Sequence, residues 1–271
     1  MQTAMSKHQR GFTLIETVMV IVITGIIAAV VATFIRAPVQ GYFDAARRAE
    51  LTDTADTAVR RIGRDLRQAL PNSVRVTSVG TVSYLEFLQT SDGGRYRADG
   101  PGDTLDFEAA AGDTTFEVLG PAVAMVPGAL NLLAIYNLGI PGADAYLGNN
   151  TSPISAINAA TNVVTIAARQ FPFPSPDNRF QIISSPVTYV CDSGTGTLTR
   201  FWNYPIQGGQ PVGFAAGTAQ GVLATNVAGC TFTYDQLVIN QRTGVVSIWL
   251  QLRQSSETVD LYHEVHVSNV P

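Results

Sequence analysis

The chain has 271 residues, enough for one large domain or two small ones and for a sizeable buried core. Only 14% of the residues are charged and the formal net charge is −4, which excludes the basic footprint of a nucleic-acid binder. The two cysteines, Cys191 and Cys230, stand in no C-x-x-C or cysteine–histidine spacing that would suggest a zinc site.

The first predicted element is a membrane-spanning helix. A leader that carries Lys7, His8 and Arg10 without an acid precedes 24 residues, Phe12 to Ile35, that hold one charge, Glu16. At about 1.5 Å per residue this run extends roughly 36 Å, against a hydrocarbon core of about 30 Å. The basic flank predicts an N-terminus kept in the cytoplasm and an exported remainder. The run is too long for a cleaved secretory signal and ends in TFIRAPVQG, so it reads as a retained anchor. A carboxylate within such a span is expensive, and Glu16 therefore needs a named partner.

The stretch Gly11-Phe12-Thr13-Leu14-Ile15-Glu16, followed by the long apolar helix, resembles the class III signal of type IV pilins and type II secretion pseudopilins. The resemblance implies that a prepilin peptidase cuts between Gly11 and Phe12, and that Phe12 becomes the N-methylated first residue. It also implies a task for Glu16, which would meet the new amine of a neighbouring subunit inside the membrane. Two charges about 4 Å apart in a partly dry medium attract by several kcal/mol, so their desolvation is offset only when a second subunit docks in register. Without that partner Glu16 would be a carboxylate snorkelling to the cytoplasmic interface.

The same resemblance implies partners: other pilin and minor pilin subunits, the prepilin peptidase and an inner-membrane assembly platform. The expected location is the bacterial inner membrane, single-pass with a periplasmic C-terminal domain, and then a pilus or pseudopilus. The size of the chain suits a minor subunit that helps to initiate or cap a filament, and no enzyme, cofactor or metal is expected. A J-type minor pseudopilin is the alternative, and a membrane-anchored periplasmic adhesin or enzyme is the reading from another class.

From Arg36 to Leu70 the periodicity becomes amphipathic. Phe43, Leu51, Ala55, Ala58, Val59, Ile62, Leu66, Ala69 and Leu70 recur mostly at steps of three and four. The opposite face is read as a solvated mixed-sign surface that includes Arg60, Arg61, Arg64, Asp65 and Arg67. Pro38 is expected to kink the helix, and Pro71-Asn72 to stop it.

After Ser73 short alternating runs predict an antiparallel β region: SVRVTSV, VSYLEFL, TLDFEAA, TTFEVL, NVVTIAA, RFQIISS, PVTYVCD, GTLTRFWNY, CTFTYD, VVSIWLQLR and TVDLYHEVHV. SDGG, ADGPGD, SGTG and QRTG read as turns between them. A charge-poor stretch from about Gly120 to Asn162 reads as a long insertion. The expected organisation is a leader (1–11), a transmembrane half-helix (12–35), an amphipathic half-helix (36–70) and an extracytoplasmic β-rich domain (71–271). The fold class is α+β, a long N-terminal helix packed on an antiparallel sheet. Cys191 and Cys230 fall in the exported part, where an oxidising compartment favours a disulfide over two separate buried thiols.

Three patterns resemble chemistry and have simpler readings. Asp192-Ser193-Gly194-Thr195 has the form of an aspartic-protease loop, but that chemistry needs two aspartates sharing a proton and no second D-[ST]-G occurs. A hairpin turn explains the same letters. His263 and His266 stand three apart on an expected strand and so face opposite sides. Asp99, Asp103 and Asp106 have the donors for calcium, and Asp/Gly turn formation accounts for them equally.

Overall fold

The computed structural model describes residues 11–235 and 243–271, so most of the leader and part of the QRTG turn lie outside the described residues. The chain divides into two compact units, one ending at Glu50 and one running from Leu51 to Pro271. One helix, α1 (Leu14–Leu66), contributes to both. The helix continues through Pro38.

From Leu14 to Ile35 the helix carries a single charged residue, Glu16, and its residues are exposed all round. Phe12, Leu14, Ile15 and Phe34 are between 71 and 84% exposed. An apolar surface of this kind is stable in lipid or against another protein, and not in water.

In the second unit the helix turns amphipathic. Leu51, Ala55, Ala58, Ile62 and Leu66 follow steps of three and four and are all buried. The helix then closes with short-range bonds from the Gln68 and Ala69 amides to the Asp65 and Leu66 carbonyls. Asn72, at φ 58°, turns the chain into the first strand. Asp65 departs from expectation: it is buried rather than on the solvated face, because it lies three residues after Ile62 on the apolar stripe.

Among the described residues twelve strands follow: β1 (Arg75–Val79), β2 (Val82–Tyr96), β3 (Asp113–Leu119), β4 (Leu132–Ile135), β5 (Thr151–Asn158), β6 (Val163–Arg169), β7 (Arg179–Asp192), β8 (Thr197–Trp202), β9 (Ala219–Thr225), β10 (Val227–Asp235), β11 (Thr243–Gln254) and β12 (Glu257–Ser268). Every pairing between them is antiparallel. Nine form one sheet in the order β1-β2-β3-β6-β5-β4-β7-β8-β9, and β10-β11-β12 form a second.

The long strands β2 and β7 also pair with each other, from Val82↔Asp192 to Arg95↔Arg179. This extra pairing closes β2-β3-β6-β5-β4-β7 into a ring. Bulges at Gln89/Thr90 and Thr90/Asp92 bend β2 where it passes from the open sheet into the ring. The two halves of these strands accordingly serve two cores. Leu85, Phe87, Val187 and Tyr189 pack with α1 and the three-stranded sheet, while Tyr96, Phe180 and Ile182 fill the ring with Phe116, Leu133 and Ile166.

Several expected boundaries move. SDGG is not a turn but part of β2. An added Cβ would lie 2.9 Å from the Phe180 carbonyl oxygen at Gly93 and 3.1 Å from the Phe180 ring at Gly94, so the glycines permit close approach of β7. TLDFEAA is not a strand, because Asp106 accepts the amides of Glu108 and Ala109 and holds a turn there. The Gly120–Asn162 stretch is not an insertion into the sheet, because it contains β4 and β5 and completes the ring.

Cys191 on β7 and Cys230 on β10 form a disulfide, with their Cα atoms 6.3 Å apart. It ties the nine-stranded sheet to the three-stranded one through the core that both share with α1.

Candidate functional site

The residues singled out at the N-terminus lie together at the start of α1. Gly11 has open space around it and Phe12 is 81% exposed, so the Gly11-Phe12 bond is accessible. Thr13 precedes the helix, and its hydroxyl accepts the Glu16 amide at 3.3 Å. That is the N-cap half of a capping box, in which Ser or Thr is followed three residues later by Glu or Gln. Glu16 therefore sits in the first turn, where the helix dipole favours a carboxylate. The T-x-x-E spacing was legible in the sequence, and the first-turn position gives the Glu16 carboxylate a local setting at the helix N-terminus.

The helix is prepared for an apolar medium in another respect. Thr17, Thr24 and Thr33 donate their hydroxyls to the carbonyls of Thr13, Val20 and Ala29, at 3.3, 2.6 and 2.9 Å. Each hydroxyl is satisfied within the helix itself. By length and composition this helix can cross a membrane.

The second unit holds two buried charged centres that sequence reading missed. Asp65 accepts the Tyr189 hydroxyl at 2.8 Å and Arg200 Nε at 2.7 Å, and Arg61 reaches it at 3.1 Å. Burial, followed by the adjacent Asp65 charge, pushes the Tyr189 hydroxyl far above its usual range. Glu86 is fully buried and takes Arg75 Nε at 2.6 Å and the Tyr204 hydroxyl at 3.0 Å. Burial raises the Glu86 carboxyl above its ordinary value, against the opposing pull of Arg75 and Tyr204.

Arg75 does more than balance Glu86. Its two terminal nitrogens donate to the carbonyls of Gln207, Gly208 and Gly209, and its guanidinium lies 3.6 Å from the centre of the Tyr146 ring. One side chain thus fastens the 207–209 loop to β1 and to the turn at Ala145–Leu147. Every group at both centres has a protein partner, which is the pattern of structural charges.

The remaining candidates resolve into local structure. Asp192 accepts the amides of Gly194 and Thr195 at 2.8 and 3.3 Å and so builds the β7–β8 turn. Partial burial works against its charge, but the bonds from Thr195 and Gly194 hold its carboxyl below the usual range. His263 and His266 are both exposed; His263 shares the β12 face of the buried Val265, and His266 takes the other face. Asp103 contributes its carbonyl to the Glu117 amide, and Asp106 shapes its turn. Among the described residues, no three His, Cys, Asp or Glu side chains gather as a metal would require.

Residues 6–32 match the prokaryotic N-terminal methylation motif. That motif is the signal of type IV pilins and pseudopilins, and it supports a pilin-like protein with a structural task. No curated protein and no solved structure matched the chain.

Proposed function

We propose that the chain is a minor subunit of a type IV pilus-like filament. In this reading the prepilin peptidase cuts after Gly11, the amine of Phe12 is methylated, and residues 12–35 hold the subunit in the bacterial inner membrane. The 71–271 region then lies in the periplasm until the subunit enters a filament with other pilins through the assembly platform. Glu16 meets the Phe12 amine of a neighbour, and no reaction is catalysed.

The observation that carries this reading is the methylation motif over residues 6–32, set directly on a helix whose apolar residues from Leu14 to Ile35 are exposed. GGRYRADGPGDTLDF, YVCDSGTGTLTRFWNY and LYHEVHVSNVP are similar to the minor subunit O of mannose-sensitive haemagglutinin pilus biogenesis, and the proposed system is of that type. A J-type minor pseudopilin of type II secretion shares the layout and is the second reading. Mass spectrometry of the mature protein tests the proposal. The expected N-terminus is N-methylated Phe12, and recovery of chains beginning upstream of it from cells with an active prepilin peptidase overturns the reading.

A further inference from the structure

Within the second unit, the outer side of α1 and the edge strand β12 enclose a groove of about 660 Å³. Its lining includes Arg60, Arg64, Arg67, Tyr262 and His263. β12 closes the three-stranded sheet and, among the described residues, pairs only with β11. Alternate residues of its other edge therefore carry backbone N–H and C=O groups without a strand partner. β12 runs near the helix at Gly63, where an added Cβ would stand in ordinary contact, 3.5 Å from Val265 and 3.8 Å from His263.

The charges on the helix side are unequal. Asp56 holds Arg60 at 2.6 Å. Arg64 and Arg67 are exposed and, among the described residues, have no acidic partner. In a chain whose net charge is −4, this is a local reversal of sign. Tyr262, 62% exposed, adds an aromatic ring beside the unpaired backbone, and its hydroxyl donates to the Glu264 carboxylate at 2.7 Å.

We propose that this groove receives an extended acidic segment of a partner protein, which adds a strand to β12 and sets its carboxylates against Arg64 and Arg67. Strand addition supplies main-chain hydrogen bonds, and side chains on one face of the added strand recur about every 6.6–6.8 Å. Flexible arginines one helical turn apart can meet two such carboxylates in succession. A small anion would use the arginines alone and leave the sheet edge and Tyr262 idle, which favours a peptide. The inference does not depend on the methylation motif.

The test uses the full chain in detergent micelles and a fluorescent peptide of about eight alternating Glu and Val residues, with binding followed by anisotropy. The peptide is expected to bind, to weaken as salt rises, and to bind at least about tenfold more weakly to the Arg64→Glu/Arg67→Glu double variant. N-methylation of alternate peptide amides should weaken binding to the unmodified chain by a similar factor, because it removes donors to β12. Absence of binding, or equal affinity for the double variant, overturns the proposal. Full affinity of the N-methylated peptide, or equally tight binding of dextran sulfate in its place, also overturns it by identifying a simple anion site. The N-methylated arm involves no substitution in the protein, so it remains decisive even if the double variant fails to fold.

Discussion

Arg200 Nε lies 2.7 Å from Asp65 Oδ2, and both residues are buried, at 8 and 5% exposure. The contact joins the last turns of α1 to β8, and Tyr189 from β7 completes it. Ion pairs of this kind make a poor stability argument when compared with apolar replacements, yet removing one partner leaves a charge without compensation. Asp65→Ala is therefore expected to lower the unfolding free energy by about 3–5 kcal/mol. Arg60→Ala, which breaks the exposed pair with Asp56, should change it by less than about 1 kcal/mol. Denaturant unfolding of both variants checks the contrast, and similar effects for the two would remove Asp65 from the core's supports.

Glu86 makes stability depend on pH. Its folded carboxyl is raised above the ordinary value of 4.5, chiefly by burial, so the unfolded chain gives up this proton first. Between 4.5 and the raised folded value the native state holds more protons, and stability falls as pH rises through that window. Glu86→Gln should flatten this part of the profile while keeping a hydrogen-bonding group beside Arg75 and Tyr204. Unfolding measured at several pH values from 4.5 upward provides the check, and an unchanged slope would refute the assignment.

The disulfide closes a separation of 39 residues and joins two sheets. In the chain-entropy account a loop of that size contributes roughly 4 kcal/mol, and Cys230→Ser is expected to lower stability by about 2–5 kcal/mol. Non-reducing peptide mapping of protein taken from the membrane should recover one cross-linked pair. Two alkylatable thiols would contradict it.

Glu16 has two proposed tasks, and substitution separates them. Glu16→Gln keeps the residue type that a capping box accepts but deletes the charge, whereas Glu16→Ala removes both. If the carboxylate serves a neighbour's amine, both variants should insert and be cleaved normally, yet be depleted from sheared filaments relative to their amount in the membrane. Wild-type incorporation of Glu16→Gln together with loss of Glu16→Ala would identify the residue as a cap and nothing more.

Local patterns carried much of this architecture. The helix was legible from one apolar run and one amphipathic stripe, and β7, β8, β11 and β12 from their alternation, because each of these signals lies within a single segment. The ring was not legible. β4 is the four-residue LLAI, which carries no alternation, and its strand character comes from pairing with Ile182 and Ile183 some 50 residues away. The SDGG stretch has turn composition but is overridden by the close passage of Phe180. At the N-terminus the motif residues were visible in one line of sequence. The partners of Asp65 and Glu86 come from distant strands, and no spacing rule reaches them.

The β2–β7 pairing has a consequence for the order in which an exported chain can fold. Val82 finds its partner at Asp192, and the core over α1 also needs Val265 and Val267, almost at the end of the chain. Closing such long loops is entropically slow. If the chain is exported as proposed, with its N-terminal helix as the anchor, the amphipathic turns of α1 lack part of their cover until the last strand has crossed. A subunit of the proposed kind that stalled in export would leave that apolar stripe, with Leu51, Ala58 and Ile62, partly exposed to chaperones and proteases. On the proposed reading, completion of the C-terminal hairpin turns a tethered, vulnerable chain into one fit for assembly.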